Sequence, residues 1–331
     1  MRPSNLPPDF EHRVFTADEA MRAGITRDRL RRRDLVQIVP GLYRRRGCTI
    51  REEDIVAAYQ RRVPGSFATG LTAARAWGLP LPGALAEPIV EPSLRAPRRP
   101  RLRTPYRARR SGPDPRVHLA TVDSVRRSTS LVRWSRVRPE EPTAEAAGIR
   151  LTTRQDTFLR LGASVSLDGL VAIGDHLVRR PRPAFEDRAD PFTTIDELKA
   201  AAAGFAGRGT VRVRESLDLV RVGADSPPET TLRLAFVRAG LPEPLPNVRA
   251  FQDGVDLGEP DLHWPRWHVI VEYEGPTHRS PEQRRRDARR DERRRLAGWV
   301  DLPMIAADLA AGCASAITRV RTALRARGWR G

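Results

Sequence analysis

Pro260-Asp261-Leu262-His263-Trp264-Pro265-Arg266-Trp267-His268-Val269-Ile270-Val271-Glu272-Tyr273-Glu274-Gly275-Pro276 is the stretch on which the reading of this 331-residue chain turns. A strand begins at Pro260-Asp261 and runs to Trp264. Pro265-Arg266 turns, and Trp267 to Glu274 forms the next strand, ended by Gly275-Pro276. In the second strand His268, Ile270, Glu272 and Glu274 alternate with Val269, Val271 and Tyr273. Strand side chains repeat every two residues, so Glu272 and Glu274 are expected on one face, with Asp261 at the start of the neighbouring strand. Three carboxylates brought together raise one another's pKa by repulsion. A divalent cation removes that cost, and Mg²⁺ takes one or two carboxylates together with phosphate oxygens. Such an ion polarises a scissile phosphate and generates hydroxide near neutral pH.

The flanks extend the pattern. Upstream, Ser226-Pro227-Pro228-Glu229 opens a helix: serine as cap, proline in the first position, Glu229 three residues after the cap. Leu232, Phe236 and Ala239 make its apolar stripe, and Gly240-Leu241-Pro242 stops it. Val248–Phe251 follows, with a turn at Asp253-Gly254. Downstream, Ser280-Pro281-Glu282-Gln283 caps a strongly basic helix reaching Leu296, with Gly298 as its stop. Trp299 to Ile305 is a last strand and Leu309 to Arg325 a last helix. The expected order is helix, three strands, helix, strand, helix.

Pro260-Asp261, then Glu272-Tyr273-Glu274-Gly275 and His278, is similar to the PD-(D/E)XK nuclease superfamily. The branch it resembles holds small endonuclease-like domains related to very-short-patch-repair (Vsr) endonucleases. Ser226-Pro227-Pro228-Glu229, Asp287, Arg290, Leu296 and Gly298-Trp299 also match that branch, so the resemblance covers roughly residues 224–310. It implies a metal, Mg²⁺ or Mn²⁺, held by Asp261 and Glu272, with Glu229 assisting from the first helix. Glu274 stands where the superfamily often has its water-activating lysine. His278 is then the expected proton carrier or phosphate contact, and Arg290 an offset for developing phosphate charge. His263 and His268 are read as structural.

Farther out, residues 14–47 read as helix, turn, basic helix and hairpin. Thr16 and Glu19 form a capping-box pattern, Thr26 can cap a second helix through Arg33, Leu35–Val39 alternates as a strand, and Leu42-Tyr43-Arg44 returns after Pro40-Gly41. This is a winged-helix pattern. Its expected nucleic-acid contacts are Arg29, Arg31, Arg32 and Arg33 on the helix side and Arg44 and Arg45 on the hairpin. The Phe15–Arg45 stretch, with Phe67 to Pro80 and its Trp77-Gly78-Leu79-Pro80, resembles AbiEi-type antitoxins of abortive-infection systems. That likeness implies operator DNA binding and, by extension, a cognate toxin as partner.

Helices are expected over 51–62, onward through Trp77, and across 152–222, where Asp156 and Asp175 read as cap and surface residues. Between Pro80 and Pro142 strands and loops are expected. There the span 95–138 holds 14 arginines against two acids, and Arg107, Arg109 and Arg110 join the candidate phosphate contacts. Net charge is +18, and all but one of the basic residues are arginine, Lys199 being the exception. Codon bias accounts for scarce lysine but not for the net excess, which favours a polyanionic partner. From residue 224 onward 18 arginines meet 15 acids, so most of the excess lies before it. Cys48 and Cys313 stand apart, which argues against a disulfide framework or a structural zinc site. Met1 to Arg13 lacks the apolar run of a signal peptide, and no stretch approaches a membrane span. A cytoplasmic setting is the expectation.

The sequence therefore predicts a mixed α/β protein in three parts: a winged-helix unit over 1–50, a mixed middle domain over 51–222, and a nuclease-like three-layer domain with a small central sheet over 224–331. The function expected is metal-dependent cleavage or nicking of DNA, in phage defence or repair. The rival is a DNA-binding regulator or antitoxin with an inactive nuclease fold.

Overall fold

Reciprocal capping sets the first helices. The Glu19 amide donates to the Thr16 hydroxyl at 3.1 Å while the Thr16 amide donates to the Glu19 carboxylate at 2.7 Å. The computed structural model describes residues 6–87, 114, 116–122, 128–182, 186–275 and 281–331. Its chain forms two units: Met1–Ser164 with Gly207–Gly209, and Val165–Ala206 with Thr210–Gly331. Helices in the range 167–219 thus group with the C-terminal residues.

In the first unit α1 (Pro8–Glu11) precedes β1 (Phe15–Thr16), α2 (Ala17–Arg22), α3 (Arg27–Leu30), β2 (Leu35–Val39) and β3 (Leu42–Arg45). The strands form an antiparallel sheet in the order β1-β3-β2 over a core of Phe10, Phe15, Leu30 and Leu35. Thr26 caps α3 as expected, but the helix stops at Leu30, three residues short of Arg33. Arg29 explains the stop: it turns back to grip Asp34, which ties the residues after Leu30 into the approach to β2.

The rest of this unit is α4 (Glu52–Arg62), β4 (Phe67–Ala68), α5 (Gly70–Ala76), a 3₁₀ turn (Gly83–Leu85), β5 (Val117–Thr121), β6 (Val132–Arg136), β7 (Thr143–Ala146), β8 (Ile149–Thr152) and α6 (Arg154–Leu161). The five strands make a mixed sheet in the order β6-β5-β4-β8-β7. Ile55, Val56 and Tyr59 of α4 pack with Leu119, Val132 and Leu151 of that sheet. Much of the arginine-rich stretch, with Tyr106, Arg107, Arg109 and Arg110, lies outside the described residues.

In the second unit α7 (Leu167–Val178), α8 (Ile195–Gly204) and α9 (Thr210–Leu219) lead to α10 (Pro227–Arg238). Then come β9 (Leu245–Pro246), β10 (Ala250–Gln252), β11 (Val255–Gly258), β12 (Leu262–Trp264), a 3₁₀ turn (Pro265–Trp267), β13 (Val269–Tyr273), α11 (Pro281–Leu296), β14 (Val300–Met304), a 3₁₀ turn (Ala306–Leu309) and α12 (Ala310–Ala326). Five short strands therefore stand between α10 and α11, not three. Leu245-Pro246 adds an edge strand, and Val255–Gly258 closes a separate β10–β11 hairpin. The four-stranded sheet runs β14-β13-β12-β9, with β13 and β14 parallel and the other pairs antiparallel. A parallel pair needs a crossover, and α11 supplies it. One sheet face packs Leu262, Trp264, Val269 and Val271 against Leu232 and Phe236 of α10 and Val320 and Leu324 of α12. On the other face Ile270 clusters with Ala250, Leu257 and Trp299.

Asp175 corrects the sequence reading, which placed it at the surface. Its side chain is 1% exposed and paired with the equally buried Arg233 of α10 at 2.9 Å. It also accepts from the Arg221 amide at 2.7 Å and the Thr230 hydroxyl at 2.8 Å. Most of α7 around it is buried, so its one mid-helix acid meets a neighbouring helix rather than water. Burial pushes this carboxyl's pKa up, against the pull of Arg233. Among the described residues no helix is long and apolar enough to cross a membrane.

Candidate functional site

The β12–β13 register builds the site. Leu262 pairs with Val271 and His263 with Ile270. One step farther along this antiparallel ladder places Asp261 opposite Glu272. Leu262 and Val271 point to the α10–α12 side, so the two acids fall on the other face. Asp261 is fixed by its own partner strand: the Tyr273 amide donates to its Oδ2 at 2.7 Å. Its carboxyl is also hydrogen-bonded to that of Glu272.

Glu229 joins them from α10, and its negative charge acts on Asp261. The expected serine cap is a correction: Ser226 makes no cap bond to the helix backbone. Its hydroxyl donates to Glu229 Oε1 at 2.6 Å. Glu229 Oε2 accepts from the Asp225 amide at 2.9 Å and from Asn247 Nδ2 at 2.6 Å. Three donors thus reach this carboxylate, which is 6% exposed.

Burial, followed by the charge of Glu229, pushes the Asp261 carboxyl up to about 6. Burial, followed by the charge of Asp261, pushes Glu272 up to about 7 despite Arg294 beside it. Burial also raises Glu229. Both facing carboxyls are thus raised toward neutral pH, chiefly by burial.

Arg294, on α11, was not singled out by the sequence reading. Its side chain has no exposed surface, and its Nη1 donates to Glu272 at 2.6 Å and Asp301 at 2.9 Å. Its Nε donates to the Leu257 carbonyl at 2.9 Å. The signal was available in part: Asp301 sits inside the last expected strand, and an acid there calls for a partner. Asn247 was also missed. It holds a left-handed backbone (φ 48°), donates its amide to the Asp261 carbonyl at 3.1 Å and braces Glu229.

The other expected site residues fall differently. Glu274 lies one residue past β13, exposed, with its amide on the Met304 carbonyl; it stands outside the contacts that join Glu229, Asp261 and Glu272. A strand ending at Tyr273 no longer fixes where the next side chain points. Arg290 pairs with Asp287 at 3.1 Å and Asp291 at 3.5 Å, while its charge still acts on Glu272. His278 lies outside the described residues. His263 is buried and drawn down to about 4 by burial, and His268 stacks on Trp299 at 5.0 Å.

Two of the expected nucleic-acid contacts are corrections. Arg29 is 7% exposed and grips Asp34 with both terminal nitrogens, at 2.8 and 2.6 Å. Arg44 is 8% exposed and donates to the Cys48 carbonyl at 2.8 Å. Both spend their donors inside the fold. Arg31, Arg32, Arg33 and Arg45 are exposed, Arg31 with Asp28 at 3.5 Å and Arg45 with Glu11 at 3.0 Å.

Among the described residues no group of three or more His, Cys, Asp or Glu is arranged to hold a metal ion. The Asp261–Glu272 pair fits a smaller role. Mg²⁺ binds through one or two carboxylates and keeps several waters or phosphate oxygens.

The comparisons with known proteins are sparse. The chain is 31% identical over 115 residues to uncharacterised proteins from two Mycobacterium tuberculosis strains, CDC 1551 / Oshkosh and H37Rv. The match covers 34% of this chain and 42% of each relative. No protein family model matches, and no solved structure does.

Proposed function

We propose that this protein is a metal-dependent DNA endonuclease, with Asp261 and Glu272 as ligands of Mg²⁺ or Mn²⁺. The observation that carries this reading is the opposed Asp261–Glu272 pair, two half-buried acids set across from each other on neighbouring strands with Glu229 close by. Such a cation, when bound, polarises a phosphoryl oxygen and acidifies the attacking water. The chain supplies the rest. The Tyr273 amide holds Asp261 in place and Arg294 holds Glu272. Glu229, braced by Asn247, keeps the local field negative enough to attract a cation. In hydrolysis, water adds to phosphorus, the phosphorus–oxygen bond to the leaving nucleotide breaks, and the leaving oxygen takes a proton. His278 is the proposed proton carrier. Residues 14–47, read as a winged-helix module, would dock DNA through Arg31, Arg32, Arg33 and Arg45.

Arg294 favours a second reading, a DNA-binding regulator or antitoxin whose nuclease-like site is inactive. A buried guanidinium already neutralises Glu272 and so competes with any metal. Calorimetric titration of Mg²⁺ and Mn²⁺ into wild type and Asp261→Ala separates the two readings. Heat in the wild type alone, with nicking of supercoiled plasmid that Glu272→Gln abolishes, is the expected result. Mn²⁺ is expected to outperform Mg²⁺, because it generally binds oxygen-rich sites more tightly. No metal uptake and no nicking would favour the regulator.

A further inference from the structure

An anion approaching Glu229, Asp261 and Glu272 meets three acids, so a phosphate needs an accessible positive group beside them. Three arginines act on the Asp261–Glu272 pair. Arg294 has no exposed surface, and Arg290 is 28% exposed and engaged by two aspartates. The third, Arg182, comes from the segment after α7, ahead of the nuclease-like stretch, and its side chain is 44% exposed.

Arg182 is oriented rather than loose. Its Nη2 donates to Asn247 Oδ1 at 2.9 Å and pairs with the Asp225 carboxylate. Asn247 passes the connection on, through Nδ2 to Glu229 and through its backbone amide to the Asp261 carbonyl. One asparagine therefore ties this guanidinium to two of the three acids. A guanidinium carries five donors. Among the described residues Asn247 and Asp225 engage Nη2, which leaves Nε and Nη1 without a partner on a half-exposed side chain. Each open nitrogen can donate a single charge-assisted hydrogen bond to a phosphate oxygen.

We propose that Arg182 is a phosphate-contacting residue of the acidic site, seating a DNA phosphate beside Asp261 and Glu272, and that Asn247 is its positioning residue. The claim that this phosphate is the one attacked rests on the nuclease reading above; the contact itself does not.

The test uses the full chain as wild type, Arg182→Gln and Arg182→Lys. Binding of a short DNA duplex is measured against KCl concentration, with Mn²⁺ calorimetry and plasmid nicking in parallel. For Arg182→Gln the salt slope is expected to become shallower by about 0.9, the share of one phosphate. Mn²⁺ uptake should be undiminished, and nicking should fall about 10²-fold, as when one preorganised donor is removed. Arg182→Lys should keep the slope, since its charge remains, while recovering only part of the nicking, since its geometry does not. A slope in Arg182→Gln equal to that of wild type overturns the proposal. A changed slope with no Mn²⁺ uptake or nicking by wild type sinks the nuclease reading and leaves the phosphate contact standing. Wild type that shows no salt-dependent DNA binding overturns both.

Discussion

Arg294 donates to Glu272 at 2.6 Å from a side chain with no exposed surface, and the same Nη1 reaches Asp301 at 2.9 Å. One guanidinium therefore joins the crossover helix α11 to both strands of the parallel β13–β14 pair. Removing one partner of a buried ion pair leaves the other charge without compensation, which costs about 3–5 kcal/mol. Arg294→Met is expected to destabilise the protein by about that range at neutral pH, read from urea unfolding. Arg294→Met with Glu272→Gln and Asp301→Asn removes the stranded charges too and should recover part of the stability. A cost for the single variant within about 0.5 kcal/mol, the size of a bland surface change, would show that the pair is not held in a buried setting.

The raised acids set a pH dependence of opposite sign to ordinary acid denaturation. Asp261 at about 6 and Glu272 at about 7 both lie above their unfolded values of 3.8 and 4.5. Between those limits the folded state binds more protons than the unfolded chain, so stability falls as pH rises. Their contribution is complete below pH 4 and gone above about 7, with a slope of at most about 1.4 kcal/mol per pH unit for each group. Asp261→Asn removes one group and the repulsion behind the other, and should flatten the profile. Saturating Mn²⁺ should reverse the wild-type slope, because the metal binds only the deprotonated carboxylates. Urea midpoints across pH 4.5–7.5, with and without Mn²⁺, check this; a wild-type profile identical to that of Asp261→Asn would count against a protonated pair.

The strands and caps were legible because their signals are local. Thr16 with Glu19, the Pro40-Gly41 turn and the alternation around Ile270 need only near neighbours to be read. Asp261 and Glu272 were legible for the same reason, since a tight Pro265–Trp267 turn leaves little freedom in how the two strands register. What escaped depends on partners far along the chain. Asp175 is buried by an α10 residue 58 positions away, and Arg182 reaches Asn247 across 65. Arg294 sits in a helix so rich in charge that a wholly solvated face was the natural expectation, yet its α11 packs one flank on β11 and β14. Arg29 and Arg44 show the converse: arginines counted toward a DNA surface are consumed by a carboxylate and a carbonyl inside their own unit.

That distinction separates two kinds of arginine in the N-terminal unit by experiment. Arg31, Arg32 and Arg33 are exposed, and Arg31 holds Asp28 only loosely, at 3.5 Å, with both side chains in water. An exposed pair of this kind contributes little to stability. Changing all three to Gln should leave the melting temperature nearly unchanged, yet make the salt slope for duplex DNA shallower by up to about 0.9 for each phosphate no longer neutralised. Arg29→Gln should do the reverse. It breaks a bidentate bond that closes the α3–β2 turn, so it should lower stability by at most about 1.5–3 kcal/mol, the range for hydrogen bonds to charged groups, and toward the low end because Asp34 is 48% exposed and water can replace its partner. Its DNA salt slope, measured below the melting transition, should match wild type. If the triple variant keeps the full slope, the N-terminal unit does not dock on phosphate through this face. The polyanion contact would then have to be sought among the remaining arginines, with Arg182, half-exposed with two open donors, as the first candidate.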